Sequence, residues 1–223
     1  MLKAMHLRGV PGGRLHVGCG SRRLDGWVNM DIQPLPGVDR ILDVSRSLPF
    51  KEVEAIYAEH FLEHLRLDAA VAFLVRAHRA LASRCWIRLS TPNLDWVVRM
   101  QYERTAWGED KALQSLFLNR AFHGWGHQFL WNREALEFVL RAVGFEALRF
   151  CQYGESQLEI FRGIERHEMY PDAPEEPHVL IVEGCKGDRR QDEIERLVRT
   201  IREDYLAHLE PLPERMILAD DLE

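Results

Sequence analysis

Two glycines one residue apart, closing a short apolar run, are the residues whose types and spacing speak most directly of chemistry. Leu15-His16-Val17 leads into Gly18-Cys19-Gly20. Such a run reads as a buried parallel strand that turns sharply at its carboxyl end, where glycine lets the backbone approach a ligand closely. A second short segment, Val28-Asn29-Met30, then ends in the acidic Asp31. A carboxylate at the tip of the neighbouring strand can accept hydrogen bonds from both hydroxyls of a ribose. The pair predicts an adenosine-type cofactor at the carboxyl edge of a parallel sheet. Phosphate-cradling versions of the idea are excluded. No G-x-x-x-x-G-K-[ST] run occurs, and Arg23 stands where a dinucleotide fingerprint needs its third glycine. Asp31 also follows Gly20 by only eleven residues, against the roughly twenty of a full βαβ unit.

The run from Gly18 to Ile32, GCGSRRLDGWVNMDI, resembles the first motif of class I S-adenosylmethionine-dependent methyltransferases, whose cofactor carries no phosphate. It looks like a type 11-like branch with G-C-G-x(5)-G-W-x-N-x-D and a first helix shortened almost to a loop. Two further blocks follow in the family's order. Asp43-Val44 precedes Leu48-Pro49-Phe50, and Tyr57-Ala58-Glu59-His60-Phe61 leads into Leu62-Glu63-His64-Leu65. The resemblance covers residues 14 to 92 closely and His127 to Phe145 more loosely; the region after 186 has no counterpart in it. It implies S-adenosylmethionine as cofactor, held by Gly18, Cys19, Gly20, Asp31, Ile32, Asp43, Val44 and Glu59. Asp43 would accept from the adenine amino group while the next residue packs on the ring. An aspartate that merely caps a turn would read the same way.

His60-x-x-Glu63-His64 formally matches the zinc peptidase pattern H-x-x-E-H, but that pattern needs a long helix, and here it starts at a strand end. The segment is also similar to the E-x-x-E-H of ubiquinone-pathway O-methyltransferases and small-RNA 2′-O-methyltransferases, with His60 in place of the first acid. In those families the acids and the histidine hold a divalent metal, and in the RNA enzymes a later histidine completes the site. His127, in His127-Gln128-Phe129-Leu130-Trp131, resembles that later position. The likeness makes His60, Glu63, His64 and His127 candidate ligands, in a set that suits zinc or another transition ion better than magnesium. The alternative is that Glu63 and His64 only brace the helix start. Without a metal, His60, His64 and His127 are the candidate catalytic groups, because imidazole near neutral pH can take a hydroxyl proton.

The elements that must position these residues alternate as an α/β fold should. Strands are predicted over Val38 to Val44, Ala55 to Glu59 and Cys85 to Ser90, the last stopped by Thr91-Pro92-Asn93. Apolar residues at helical spacing predict a helix over Leu67 to Ala82. Residues 94 to 122 read as one or two helices over the sheet edge. Asn132 should cap a helix from Arg133 to Val143 that stops at Gly144. Phe145 to Cys151 and His178 to Cys185 then look like an antiparallel hairpin. The fold class expected is α/β, a Rossmann-like, mostly parallel sheet with an antiparallel terminal hairpin and helices on both faces. Aromatics between 96 and 131 (Trp96, Tyr102, Trp107, Phe122, Trp125, Phe129, Trp131) would supply packing and part of an acceptor pocket.

Residues 1–186 form the expected methyltransferase domain, and 187–223 a charged linker, an amphipathic helix and a tail. The stripe Ile194, Leu197, Val198, Ile201, Tyr205, Leu209 either docks on its own domain or forms a homodimer. A chain of 223 residues, 46% hydrophobic, suits one large core. Net charge is −6, which gives no global case for nucleic acid or anionic membrane. No run approaches transmembrane length. Cys19, Cys85, Cys151 and Cys185 lack C-x-x-C spacing and read as reduced thiols of a cytoplasmic protein. The resemblance implies methyl transfer to an oxygen of a small-molecule or sugar acceptor. Alternatives are N- or C-methylation, a non-methyl reaction of the sulfonium, or a non-catalytic scaffold.

Overall fold

Leu15, Val17, Ile56, Ile87 and Leu89 are fully buried, and their alternation with residues of the opposite face sets the sheet. The computed structural model describes residues 13–100, 110–167 and 176–209. Seven strands, β1 (Arg14–Val17), β2 (Val28–Asp31), β3 (Arg40–Ile41), β4 (Val53–Glu59), β5 (Leu81–Pro92), β6 (Phe145–Cys151) and β7 (Val179–Lys186), form one sheet in the order β3-β2-β1-β4-β5-β7-β6. β1 to β5 pair in parallel, whereas β7 runs antiparallel to both β5 and β6. This is the mostly parallel sheet with a terminal antiparallel hairpin that the motifs implied.

One face packs against α1 (Leu67–Ala80), α4 (Arg133–Val143) and α5 (Gln191–Leu209). The other carries Tyr57, Trp27, Phe161 and Ile164, closed by loops and a 3-10 turn at Glu159–Phe161. At the carboxyl edge α2 (Leu94–Val98) and α3 (Lys111–Asn119) lead to a small cluster of Val97, Ala121 and Leu130. α4 begins and ends as its sequence demands. The Asn132 side chain accepts from Ala135 N at 3.0 Å, and Gly144 closes the helix at φ 105°. A Cβ at Gly144 would lie 3.0 Å from His78 Nε2 and 3.1 Å from Ile194 Cδ1, so α5 packs there because the position has no side chain.

The structure departs from the sequence expectation at several boundaries. The third strand is two residues long, because Asp39 turns its carboxylate to Asn29 and Arg23 and Asp43 turns its own to Ser45. β5 runs on through Thr91 and Pro92, where Pro92 pairs with Val179; a proline with no N–H is tolerated at a strand end. α1 stops two residues early, since fully buried Leu81 adopts ψ 142° and enters the sheet. α5 starts inside the segment read as a charged linker, and Arg189 donates to the carbonyls of Arg141 and Ala142 at the end of α4. Ile194 and Ile201 of α5 are buried, with Leu197 and Val198 packed beside them on the core. Tyr102, Trp107 and the tail from 210 lie outside the described residues. No helix among the described residues is long and apolar enough to cross a membrane.

Candidate functional site

β1 ends at a turn in which Gly18 and Gly20 take φ 64° and 53°, conformations that favour glycine. At Gly18 a Cβ would fall 2.4 Å from Phe61 Cδ2, whereas at Gly20 it would meet nothing within 4 Å. The second glycine therefore offers open backbone. Asp31, at the tip of β2, ties this turn in place. Its Oδ2 accepts from Gly20 N at 2.8 Å and its Oδ1 from Gln33 N at 2.9 Å. Ile32 beside it is 63% exposed, an apolar platform facing outward. Cys19 is buried among these groups. Burial, with help from the Asp31 charge, pushes its thiol up to about 11, so it stays protonated and inert. Asp43 accepts from Ser45 N at 3.0 Å and Ser45 Oγ at 2.6 Å, with Arg46 on its other oxygen. It caps its own turn, and Val44 is buried in the core.

A cavity of about 1010 Å³ lies between the glycine turn and the ends of β4 and β5. Glu59, the last residue of β4, lines it. Its Oε1 accepts from the backbone of Arg166 and His167 at 2.7 and 2.9 Å, and from His167 Nδ1 at 2.7 Å. Burial works against ionisation, but these donors hold the carboxyl at about 2. The loop that supplies them is anchored by Arg88, fully buried between Glu165 at 2.6 Å and Glu183 at 2.5 Å. Arg22 of the glycine turn donates to the Arg166 carbonyl. One loop thus closes over the ends of β1 and β4.

The next residue, His60, is held at φ 47°, which turns the chain into a single 3-10 turn at Leu62–His64. The long helix of a zinc peptidase is not there. Glu63 is fully buried. It accepts from Thr91 Oγ1 at 3.0 Å and from His60 Nδ1 at 3.0 Å. Its backbone carbonyl accepts from Gln128 N and Phe129 N at 2.7 and 3.2 Å, which brings His127 alongside. The half-buried His127 gives its Nδ1 proton to the Ala121 carbonyl at 2.6 Å, leaving Nε2 as the lone-pair nitrogen. Burial lowers its pKa below the ordinary imidazole value, so it is neutral at pH 7. Glu63, His64 and His127 each present a donor atom within 4.8 Å of the others.

Of the residues singled out in the sequence, the turn from Gly18 to Gly20, Glu59, His60, Glu63, His64 and His127 line the cavity, while Asp31, Ile32, Asp43 and Val44 stand outside its lining. His60 is not part of the Glu63, His64, His127 triad; it braces Glu63 instead. Trp131 is fully buried in the core, and Trp125 is 56% exposed at the cavity wall. Sequence reasoning missed His167, which sits in the long connection between β6 and β7, and Arg120, which begins a π-helical turn at Arg120–Gly124. Nothing local marks His167, whose partner Glu59 is over a hundred residues away. The pairing of Arg120 with Trp125 was hidden because a sequence does not show a π turn.

The strand order and hairpin define a Rossmann-like class I methyltransferase fold. Among similar solved structures is an S-adenosylmethionine-dependent methyltransferase from Mesorhizobium loti, with 16% identity, TM-score 0.51, and coverage of 80% of this chain and 93% of that one. Another is a possible exported protein from Bordetella parapertussis, with 14% identity, TM-score 0.50, and coverage of 80% of this chain and 63% of that one. At such identities the likeness establishes the fold alone. No protein-family model and no curated protein matches the chain.

Proposed function

We propose that the chain is an S-adenosylmethionine-dependent methyltransferase acting on a hydroxyl oxygen of a small-molecule or sugar acceptor. One observation carries this reading: Asp31 fastens the glycine turn at Gly20 directly beside a cavity walled by imidazoles. The residues fit the cofactor. Each Asp31 oxygen accepts one backbone N–H and keeps a lone pair for a ribose hydroxyl. Gly20 has open space where a side chain would stand, and exposed Ile32 offers a face to a base. Asp43, committed to Ser45 and Arg46, supports the adenine end by shaping its turn.

When bound, S-adenosylmethionine supplies a methyl group already activated on a positively charged sulfur. The protein's work is to align the acceptor oxygen in line with it and to exclude water. His127, neutral and with Nδ1–H tied to the Ala121 carbonyl, can accept the hydroxyl proton at Nε2. His64 packs edge-on to it, ring centroids 5.1 Å apart.

A second reading is favoured by the convergence of Glu63, His64 and His127. The three groups would hold a divalent transition ion, with Thr91 and His60 orienting the carboxylate from behind. Bound there, the ion would bind the acceptor oxygen and lower its pKa.

The test is turnover with methyl-labelled cofactor over a panel of hydroxylated acceptors, read by mass spectrometry. Label on a product oxygen is expected. Label on nitrogen or carbon would reassign the reaction, and failure to bind S-adenosylhomocysteine in calorimetry would leave a scaffold. Loss of activity on chelation, restored by a divalent ion, supports the metal; chelator resistance leaves His127 as the base.

A further inference from the structure

We infer that the acceptor is a planar hydroxylated ring bearing an oxyanion, seated on Trp125 with its charge on Arg120. This rests on the methyltransferase reading for its chemistry but on different residues for its evidence. α3 runs without a break into the π turn Arg120–Gly124, a local departure that often marks a functional position. That turn folds Arg120 back so that its guanidinium carbon lies 5.0 Å from the centroid of the Trp125 ring. Gly124 makes the fold possible, since a Cβ there would fall 2.8 Å from Arg120 Cγ.

Trp125 is 56% exposed at the wall of the cavity, a large apolar face available to a ligand. It lies 5.8 Å from His127, at an interplanar angle of 37°. A ring seated against Trp125 in the cavity therefore has a guanidinium lying over the same indole and the tilted His127 imidazole beside it. Charge points the same way. Although the chain is net −6, Arg22 and Arg120 line the cavity. Neither has a carboxylate partner among the described residues; Arg22 donates to a backbone carbonyl. The acids of the cavity, Glu59 and Glu63, are already engaged by His167, His60 and Thr91. An anionic ring gains a guanidinium partner there, and a cationic amine gains nothing. The preference is for a carboxylate or a phosphate on an aromatic hydroxy compound.

The experiment is titration of the full chain, in saturating S-adenosylhomocysteine, with 4-hydroxybenzoate, 4-hydroxybenzamide and 4-hydroxyphenyl phosphate. The anions should bind at least about tenfold tighter than the amide, and whichever anion wins names the oxyanion. R120Q should erase most of that preference, and W125L should weaken acid and amide alike, with S-adenosylhomocysteine affinity and melting midpoint unchanged in both. Equal binding of amide and acids, a preference that survives R120Q, or no ring compound bound while S-adenosylhomocysteine binds would overturn the inference. Failure of S-adenosylhomocysteine to bind, with Arg120-dependent ring binding intact, would instead remove the cofactor reading and leave this subsite standing.

Discussion

On the proposed reading, replacing Asp31 by alanine removes the group that holds the cofactor's ribose, and the interactions lost set the size of the effect. Two interactions with ribose hydroxyls disappear, each a hydrogen bond to a charged acceptor worth about 1.5–3 kcal/mol. Asp31 is half-buried, so water can rescue part of this, and a net loss of about 2–3 kcal/mol is expected. That corresponds to roughly 30- to 140-fold weaker binding of S-adenosylhomocysteine. Gly20 N and Gln33 N also lose their acceptor, which costs the fold about 1 kcal/mol. Titration calorimetry reads the affinity, and urea unfolding separates the stability change from it. Affinity within about threefold of the parent chain, at full folding, would refute the argument that the β2 tip holds a ribose.

Other consequences follow from the same geometry. His127→Ala should abolish turnover while S-adenosylhomocysteine affinity changes less than about twofold, because the proposed function puts His127 on the acceptor side; single-turnover kinetics with the labelled cofactor checks it. Arg88→Met leaves Glu165 and Glu183 buried without their cation and should cost about 3 kcal/mol in urea unfolding, whereas a loss below about 1 kcal/mol would mean the triad is not closed. Glu59 is held at about 2 against an ordinary 4.5. A depressed carboxyl stabilises the fold above its unfolded value and loses that contribution as pH falls through the folded one. The stability advantage of the parent chain over Glu59→Gln should therefore shrink between pH 4.5 and about 2; a constant difference across that window would contradict the assigned role of His167 and its loop.

The glycine turn, the place of Asp31 at the end of β2 and the caps of α4 were legible because each is local. Gly18, Gly20 and Gly144 take backbone angles that favour glycine, and Asn132 reaches its own helix. The mostly parallel sheet and its terminal hairpin were expected from the alternation of elements and the resemblance, whereas the strand order itself came only with the structure. What escaped was decided by side-chain partners, near and far, that a pattern of hydrophobicity does not show. Asp39 and Asp43 shortened β3 because Asn29 and Ser45 captured their carboxylates. Arg88 gave no sign that two glutamates from the far end of the chain would enclose it, and so the loop that brings His167 to Glu59 could not be foreseen. His60 looked like a ligand beside Glu63 and His64, but its left-handed backbone turns it to brace Glu63.

A crystal structure of the chain with S-adenosylhomocysteine would show whether Asp31 holds the ribose. Both ribose hydroxyls are expected within hydrogen-bond reach of Asp31, the adenine against Ile32, and the sulfur opening onto the cavity that holds His127 and Trp125. Ligand density elsewhere, or a ribose with no contact to Asp31, would contradict it.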